Sequence, residues 1–262
     1  MSTILQEIII KKNSEIEELK EEGYRTYNQS LNHPVGLYAS LMDTERIQVI
    51  AEIKRASPSK GDIRLEVDPV EQAKIYERAG AAAISVLTDT PFFKGKMDDL
   101  AQVREVVSIP ILCKDFILDP VQIDRAKDAG ANIILLIVAA LDEHTLYSLF
   151  DYAESNGLEV LVEVHNEKEM KIALEMGARI IGINNRNLKT FEVSLEVTER
   201  LGRLVKNKEI VLISESGIKH DADCKRAAKA GAHGVLVGET LMKSKDSVRT
   251  LASLQVLRGE VK

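Results

Sequence analysis

The sequence predicts an α/β fold in which parallel strands close into a barrel. Eight short aliphatic runs follow one another between residues 47 and 238, and amphipathic stretches such as DPVEQAKIYERAG separate them. Strands that alternate with helices indicate βαβ units and a parallel sheet. Eight such units in a chain of 262 residues fit a (β/α)8 TIM barrel, which typically takes about 250 residues.

The segment before the first run predicts an N-terminal helical extension. An apolar stripe at helical spacing runs through Leu5, Ile8, Ile9, Lys12, Ile16 and Leu19. The first 45 residues are therefore expected to be helical, with an interruption at Gly23. Because no Pro/Gly/Ser-rich linker follows, we expect residues 1–46 to dock on a barrel of residues 47–258, and residues 1–262 to form a single domain.

The aliphatic runs are nearly continuous, as in strands that are covered on both faces of a sheet. A doubly wound open sheet is the competing fold, but it usually carries a G-x-G-x-x-G turn after its first strand, where this chain has RASPSKG. The predicted strands are IQVIAEIK (47–54), AAISVL (82–87), IPILCK (109–114), NIILLI (132–137), EVLVEV (159–164), RIIGIN (179–184), EIVLIS (209–214) and HGVLVG (233–238).

A Gly-Ala pair recurs before every second strand, at Gly80, Gly130, Gly177 and Gly231. Each glycine stands where a helix ends in a left-handed C-cap. A two-unit period suits a barrel whose interior layers come from alternate strands. The alternative is that helix C-caps favour glycine in any α/β protein.

Composition excludes several classes of protein. The chain has 41 acidic and 35 basic residues, a net charge of −6, which disfavours binders of nucleic acid or membrane surfaces. No run of eighteen apolar residues is present, and the acidic N-terminus does not resemble a secretory signal. Two cysteines and five scattered histidines offer neither a disulfide framework nor metal-ligand spacing. We expect a cytoplasmic protein without a metal site.

Polar residues stand at the ends of the predicted strands, and in a barrel those ends face the active site. They are Glu52 and Lys54 in strand one, Lys114 in strand three, Glu163 in strand five, Asn184 and Arg186 at strand six, and Glu215 and Ser216 at strand seven. Charged residues are seldom buried without a reason, so this pattern predicts an acid–base site. The alternative is a set of paired charges that only holds the barrel top together.

Each of these groups has a chemical role it can fill. Lys114 follows an apolar stretch and can donate a proton to a carbonyl or hydroxyl oxygen. Glu163 is flanked by two valines, so burial is expected to raise its pKa and make it an acid–base. Asn184 is a neutral orienting group, and Glu52 and Glu215 can hold the lysines in place.

The loops after strands seven and eight predict a phosphate site. Gly217 in SESG (214–217) and Gly238 in VGET (237–240) allow close approach of backbone N–H groups. These two loops are the usual phosphate-binding position of the fold. The alternative is that both residues are ordinary turn glycines.

Two further loops border the same end of the barrel. The loop RASPSKGDIRLEVD is longer than the roughly 2–6 residues of most such connections and is typical of a lid. Ser57 within it either touches ligand or serves the turn. Phe93 and Phe116 follow strands two and three and either form an apolar wall for a ring or pack under the loops.

At these residues the sequence resembles the indole-3-glycerol phosphate synthase family of tryptophan biosynthesis. AEIKRASPSKG, PILCKDF and GINNRNL together are a specific combination that a generic phosphate barrel would not carry. The matching stretches are IAEIKRASPSKG (50–61), SVLTDTPFFKG (85–95), PILCKDFILD (110–119), EVLVEVH (159–165), GINNRNLKTFEV (182–193), ISESGI (213–218) and VLVGETLM (235–242).

The resemblance implies a carboxy-lyase that closes a ring, decarboxylates and dehydrates 1-(2-carboxyphenylamino)-1-deoxyribulose 5-phosphate. It implies no cofactor and no metal. Lys114 would be the general acid of ring closure, Glu163 an acid–base in proton loss and dehydration, and Lys54 a further proton donor, with the dehydration roles of Glu163 and Lys54 left open. Other polar network members would be Glu52, Asn184 and Glu215.

The resemblance also implies the binding residues and the partners. Carboxylate or phosphate would be bound by Ser57, Arg186, Ser216, Gly217 and Gly238. Where Glu239 follows Gly238, a small hydroxyl residue is also familiar, so we expect the Glu239 carboxylate to turn away from phosphate. We expect the partner to be a phosphorylated small-molecule substrate and expect no binding to nucleic acid or membranes. We expect the chain to be monomeric.

Three rival functions fit the sequence less well. A phosphoribosylanthranilate isomerase would need a Cys–Asp type of acid–base pair at strand ends, where this chain has glutamate and lysine. A non-catalytic ligand-binding barrel would keep the glycines and lose the acid–base groups, which are present. An RNA-binding module is disfavoured by the net charge of −6.

Overall fold

The computed structural model describes residues 3–29 and 36–259, and it confirms the predicted barrel. Eight parallel strands pair in sequence order, and β1 closes the ring against β8, with Gln48 opposite Gly234. Every predicted strand is present, with bounds that differ by two residues or fewer. The strands are β1 (Gln48–Ile53), β2 (Ala83–Leu87), β3 (Ile111–Lys114), β4 (Ile133–Ile137), β5 (Glu159–Val164), β6 (Ile180–Asn184), β7 (Val211–Glu215) and β8 (Gly234–Val237).

Helices follow the strands on the outside of the barrel. The loop after β1 also contains a small antiparallel pair, Ala56–Ser57 with Gly61–Asp62. The helices are α1 (Ile4–Glu22), α2 (Leu37–Met42), α3 (Pro69–Arg78), α4 (Thr90–Phe93), α5 (Met97–Arg104), α6 (Pro120–Asp128), α7 (Glu143–Ser155), α8 (Glu167–Glu175), α9 (Glu196–Gly202), α10 (Asp221–Lys229), α11 (Glu239–Lys243) and α12 (Ser247–Leu254).

Local sequence signals set the helix boundaries. Asp68 and Asp119 accept hydrogen bonds from the first backbone N–H groups of α3 and α6, and proline occupies the first turn of both helices. The glycines of the four Gly-Ala pairs have φ between 82° and 95°, so the predicted left-handed C-caps are confirmed. These caps return each chain segment to the sheet for the next strand.

The apolar side chains of the strands form two separate clusters, because successive residues of a strand point to opposite faces. The outer cluster packs under the helices and contains Cys113. The inner cluster fills the barrel with residues such as Ile50, Leu112 and Leu161, and Leu37 and Leu41 of α2 belong to it. Helix α2 therefore closes the end of the barrel opposite the strand C-termini.

Helix α1 packs along the barrel, and its predicted stripe is buried at Ile8, Lys12 and Ile16. The prediction of helix over the first 45 residues with an interruption at Gly23 is wrong for residues 24–29 and 43–45, which are not helical. The carboxylate of Asp128 binds the backbone N–H groups of Tyr27, at 2.6 Å, and Asn28, at 3.2 Å. Asp128, the last residue of α6, thus accepts the hydrogen bonds that main-chain carbonyl groups would accept if the chain were helical here.

Candidate active site

A cavity of about 1230 Å³ opens at the carboxyl ends of the strands. Its walls contain every site residue that the sequence predicts, although their roles remain predictions. These residues are Glu52, Lys54, Ser57, Phe93, Lys114, Phe116, Glu163, Asn184, Arg186, Glu215, Ser216, Gly217 and Gly238. The strand order brings together side chains from β1, β3, β5, β6 and β7 that are far apart along the chain.

Lys114 lies at the centre of the polar residues, at the end of β3. Its Nζ is 3.2 Å from Oε2 of Glu163 and 3.5 Å from Oε2 of Glu215. Burial by itself would lower the lysine pKa, but the negative charges of Glu163, Glu215 and Glu52 outweigh it and raise the pKa of Lys114. Lys114 is therefore a protonated ammonium at neutral pH that is able to give a proton to a substrate.

Glu163 on β5 is held by three neighbours. Its Oε2 contacts Lys114, while Asn184 donates a hydrogen bond of 3.0 Å to Oε1 and His165 Nε2 lies 3.2 Å from the same oxygen. The expected raised pKa of Glu163 is wrong. Burial does raise it, but the charges of Lys114 and His165 and the bond from Asn184 outweigh burial and lower the pKa. Glu163 is thus a carboxylate at neutral pH.

Glu215 at the end of β7 has the opposite character. Burial, reinforced by the negative charges of Glu163 and Glu52, raises the pKa of Glu215 to about 8, although Lys114 opposes the shift. Its Oε1 is buried without a hydrogen-bond partner among the described residues. Two carboxyl groups beside one lysine therefore have pKa values shifted in opposite directions, as is typical of acid–base sites.

Glu52 and Lys54 of the first strand form a second pair in the same cavity. Nζ of Lys54 is 2.5 Å from Oε1 of Glu52, and Glu52 is only 3% exposed. A Cβ atom on Gly238 would lie 2.1 Å from that carboxylate oxygen and 3.2 Å from the lysine Nζ. Glycine at the end of β8 therefore leaves the space that the pair occupies.

One side of the cavity is apolar. The rings of Phe93 and Phe116 lie 6.1 Å apart with a 37° angle between their planes, a tilted arrangement favourable for aromatic pairs. Leu135 and Ile137 of β4 extend this surface, and so do Ile4, Leu5 and Ile8 of α1. The N-terminal extension thus supplies part of the wall.

The other side of the cavity offers groups suited to anions. Ser216 and Gly217 both have left-handed backbone, with φ of 64° and 87°, and consecutive N–H groups in such turns form anion-binding concavities. Arg186 also lines the cavity and offers a cation. Glu239 also lines the cavity, and its carboxylate accepts a bond of 2.7 Å from Lys243, which neutralises its charge.

Asn184 has its amide orientation fixed by two contacts. The backbone N–H of Arg186 donates a bond of 3.0 Å to its Oδ1, which leaves its Nδ2 to donate to Glu163. The Arg186 guanidinium donates to the carbonyl of Phe191 at 3.1 Å. The loop after β6 therefore positions both side chains.

Two contributions to the site were not found from the sequence. Lys12 of α1 is 1% exposed and contacts Asp115 at 2.8 Å and Asp89 at 3.2 Å, which anchors the extension to the loops that carry Phe93 and Phe116. His165 is one of the histidines without metal-ligand spacing, and its position two residues after Glu163 is the sequence signal for its place beside the site. The place of Lys12 in the predicted stripe, four residues from both Ile8 and Ile16, is the corresponding signal in α1.

Residues 3–29 and 36–259 contain neither a cluster of metal ligands nor a helix that could span a membrane. No group of three or more histidine, cysteine or acidic side chains there is arranged to hold a metal ion. No helix in the same ranges has the length and apolar character needed to cross a membrane.

Two solved structures that align with this chain are distant from it in sequence. A thiamine phosphate pyrophosphorylase from Pyrococcus furiosus aligns with a TM-score of 0.59 at 18% identity, over 82% of this chain and 95% of that one. An N-acetylmannosamine-6-phosphate 2-epimerase from Clostridium perfringens aligns with a TM-score of 0.59 at 17% identity, over 76% of this chain and 90% of the other. These similarities support the fold alone.

Sequence relatives match the whole barrel and the extension. The indole-3-glycerol phosphate synthase of Oceanobacillus iheyensis is 51% identical over 255 residues, which covers 97% of each chain. The enzyme of that name from Bacillus cereus is 52% identical over 250 residues, 95% of this chain and 96% of its own. The model of the indole-3-glycerol phosphate synthase family matches residues 5–254. With its strand-end lysines and carboxylates in one cavity, this chain belongs to the indole-3-glycerol phosphate synthase family.

Proposed function

We propose that this chain converts 1-(2-carboxyphenylamino)-1-deoxyribulose 5-phosphate into indole-3-glycerol phosphate, carbon dioxide and water, a step of tryptophan biosynthesis. The observation that carries the proposal is the position of Lys114, a buried ammonium between Glu163 and Glu215 in the cavity. The apolar wall and the anion-binding side match the two ends of this substrate. Family membership supports the same activity.

Ring closure uses Lys114 as the acid. The ring carbon that bears the carboxylate bonds to the ribulose carbonyl carbon, while Lys114 protonates the carbonyl oxygen to a hydroxyl group. Loss of carbon dioxide from that ring carbon returns its electron pair and restores aromaticity. The enzyme therefore mainly positions the two carbons and supplies the proton.

Dehydration then needs a base and an acid. Glu163 takes a proton from the former C1 methylene group, and Lys54 protonates the departing hydroxyl, so a carbon–carbon double bond forms as water leaves. Once Lys114 has given up its proton, Glu163 loses an adjacent positive charge, its pKa rises and it becomes a stronger base. Glu52 holds Lys54 within 2.5 Å, and Asn184 and Glu215 orient the central charges.

The substrate ends are bound on opposite sides of the cavity. The aromatic ring lies against Phe93 and Phe116, and its carboxylate faces Ser57 and Arg186. The phosphate is bound by the loops after β7 and β8, through Ser216, Gly217 and Gly238. No cofactor or metal takes part in this scheme, and we propose a monomeric enzyme of the cytoplasm.

The function is tested by fluorescence-monitored formation of indole-3-glycerol phosphate. We expect the purified chain to release one carbon dioxide per product molecule. We expect Lys114→Ala to lower kcat by about 10²- to 10⁴-fold, the usual contribution of a positioned acid. The control is Lys171→Ala, at a lysine whose side chain is 75% exposed.

Far-UV circular dichroism and urea unfolding show whether each variant is folded. Turnover close to that of the unmodified chain in folded Lys114→Ala would contradict the role of the acid. Absence of product from the unmodified chain would contradict the function itself.

A further inference from the structure

His165 contacts Glu163 without itself lining the cavity. It follows the end of β5, and its side chain is 12% exposed. The described residues that line the cavity include Glu163 but not His165. The imidazole therefore reaches the reacting atoms only through the carboxylate of Glu163.

The ring of His165 lies between two carboxylates. Nε2 is 3.2 Å from Oε1 of Glu163, and Nδ1 is 3.0 Å from Oε2 of Glu169. The backbone N–H of His165 donates a further bond of 2.7 Å to the same Glu169 oxygen. His165 is thus fixed to Glu169 through both its main chain and its side chain.

Glu169 is itself held in the first turn of α8. Asn166 donates to its Oε1 at 2.5 Å, and the Asn166 side chain accepts a bond of 3.1 Å from the backbone N–H of Glu169. The first turn of a helix also favours a negative charge. The helix therefore provides a rigid, negatively charged support behind the imidazole ring.

We propose that His165 is a positioning residue that acts as a permanent cation, holding Glu163 ionised and oriented toward the substrate. This inference rests on the proposed function and deepens it, because it explains how a carboxylate buried among strands remains a base. A neutral imidazole would offer only one donor to two carboxylates, whereas the imidazolium offers one to each.

Glu163 needs a second cation because the other charges around it are mostly negative. Lys114 of β3 is its only other cationic contact among the described residues, and Lys114 is shared with Glu215 of β7. Glu52 of β1 adds a further negative charge to the same cavity. When Lys114 donates its proton, His165 is the cation that still balances Glu163.

The electrostatic environment of the imidazole agrees with a permanent charge. Burial by itself would lower the histidine pKa, but the nearby carboxylates of Glu163 and Glu169, the latter also hydrogen-bonded to the ring, outweigh it and raise the pKa of His165 to about 10. An imidazole on the surface has a pKa of about 6.5. His165 is then charged across the range in which the enzyme would work.

The kinetic test uses His165→Gln, which keeps a hydrogen-bonding side chain and removes the charge. We expect kcat at neutral pH to fall about 10- to 100-fold, less than the loss on removing a general base, with KM changed less than about threefold because the residue does not touch substrate. The acid limb of the pH dependence of kcat is expected to move to higher pH, since Glu163 has lost a neighbouring cation.

Three further variants separate charge from structure. Glu169→Gln removes the anionic support and is expected to shift the acid limb in the same direction but by less. His165→Lys keeps a cation beside Glu163 and is expected to return the acid limb toward its original position. His144→Gln is the matched control, because His144 is exposed on α7, and its profile should be unchanged.

A second readout does not depend on turnover. In the chain labelled with ¹⁵N-histidine, the resonances lost in His165→Gln identify the ring, and we expect both of its nitrogens to carry protons at pH 8. A neutral ring at pH 8, or an acid limb that stays in place in folded His165→Gln, would overturn the inference. Inactivity of the unmodified chain would contradict the proposed function instead, while the resonances still report the charge of His165.

Discussion

At the scale of single residues, the absence of a side chain can be as important as a charge. Gly182 of β6 stands opposite Glu163 in the register of the sheet. A Cβ atom there would lie 2.0 Å from Oε1 of Glu215 and 3.1 Å from its carboxyl carbon. The backbone of Gly182 is not in the left-handed region, so space is what requires glycine at this position.

We predict that Gly182→Ala displaces the Glu215 carboxyl group from Lys114. Because Lys114 would lose one of its two close carboxyl groups, we expect kcat to fall about 10- to 100-fold, as when groups that orient a catalytic residue are removed. KM should change little. The measurement is a steady-state assay of product fluorescence at several pH values.

The matched control is Gly157→Ala. Gly157 has φ of 77° with no atom within 4 Å of an added Cβ, so the change strains the backbone by about 1–2 kcal/mol without touching the site. A normal kcat in folded Gly182→Ala would show that the carboxyl group does not need this space.

At the scale of elements, one buried cation fastens α1 to the barrel. Lys12 binds Asp115 after β3, Asp89 after β2 and Glu15 of its own helix. Burial opposes its charge, but the three carboxylates outweigh burial and raise the pKa of Lys12. Asp115 also accepts a bond of 2.6 Å from Thr88. Helix α1 therefore shares its anchor with the loops that form the aromatic wall.

We expect Lys12→Met to destabilise the protein by about 3–5 kcal/mol, the usual cost of leaving one side of a buried ion pair uncompensated. The measurement is urea unfolding followed by circular dichroism. Lys11→Met is the matched control, since Lys11 is exposed on the same helix and should change stability by less than about 0.5 kcal/mol. Equal stability of the two variants would contradict the role of Lys12 as an anchor.

At the scale of the whole molecule, the protonation of one histidine makes the stability of the closed barrel depend on pH. His233 comes directly before β8, and its carbonyl accepts a bond of 3.0 Å from the backbone N–H of Gln48 in β1. Its Nδ1 accepts a bond of 3.2 Å from the backbone N–H of Leu212 in β7. Burial, with the positive charge of Arg258, lowers the pKa of His233 to about 4. The folded barrel therefore contains the neutral ring.

We predict that His233 makes the barrel less stable as the pH falls from about 6.5 to about 4. In this window the unfolded chain binds a proton at His233 and the folded chain does not, so the free energy of unfolding decreases with acid. Other acidic groups add their own pH dependence. We therefore compare the slope of urea stability against pH in the unmodified chain with that of His233→Gln, which should be shallower.

His144→Gln serves as the control for this comparison, because that exposed side chain takes no part in barrel closure. Identical slopes in all three proteins would exclude His233 as a contributor to the acid sensitivity of the fold.

Much of the fold and the inventory of the site could be predicted from the sequence. Aliphatic runs of strand length and left-handed glycines are local signals, because backbone hydrogen bonding and side-chain alternation act over a few residues. In a barrel of parallel strands, the carboxyl ends of all the strands lie around one opening. Lys114 and Glu163 could therefore be assigned to the same cavity, although 49 positions separate them in the chain.

Only the tertiary structure decided which partners these groups have and which protonation state follows. The burial of Glu163 was visible in its flanking valines, but the sign of its pKa shift depends on cations at 3.2 Å that come from β3 and from the end of its own strand. The burial of Lys12 and the space over Gly182 likewise depend on residues distant in sequence. Electrostatic and steric energies vary steeply over a few ångströms, and distances of that size are fixed only when the barrel closes.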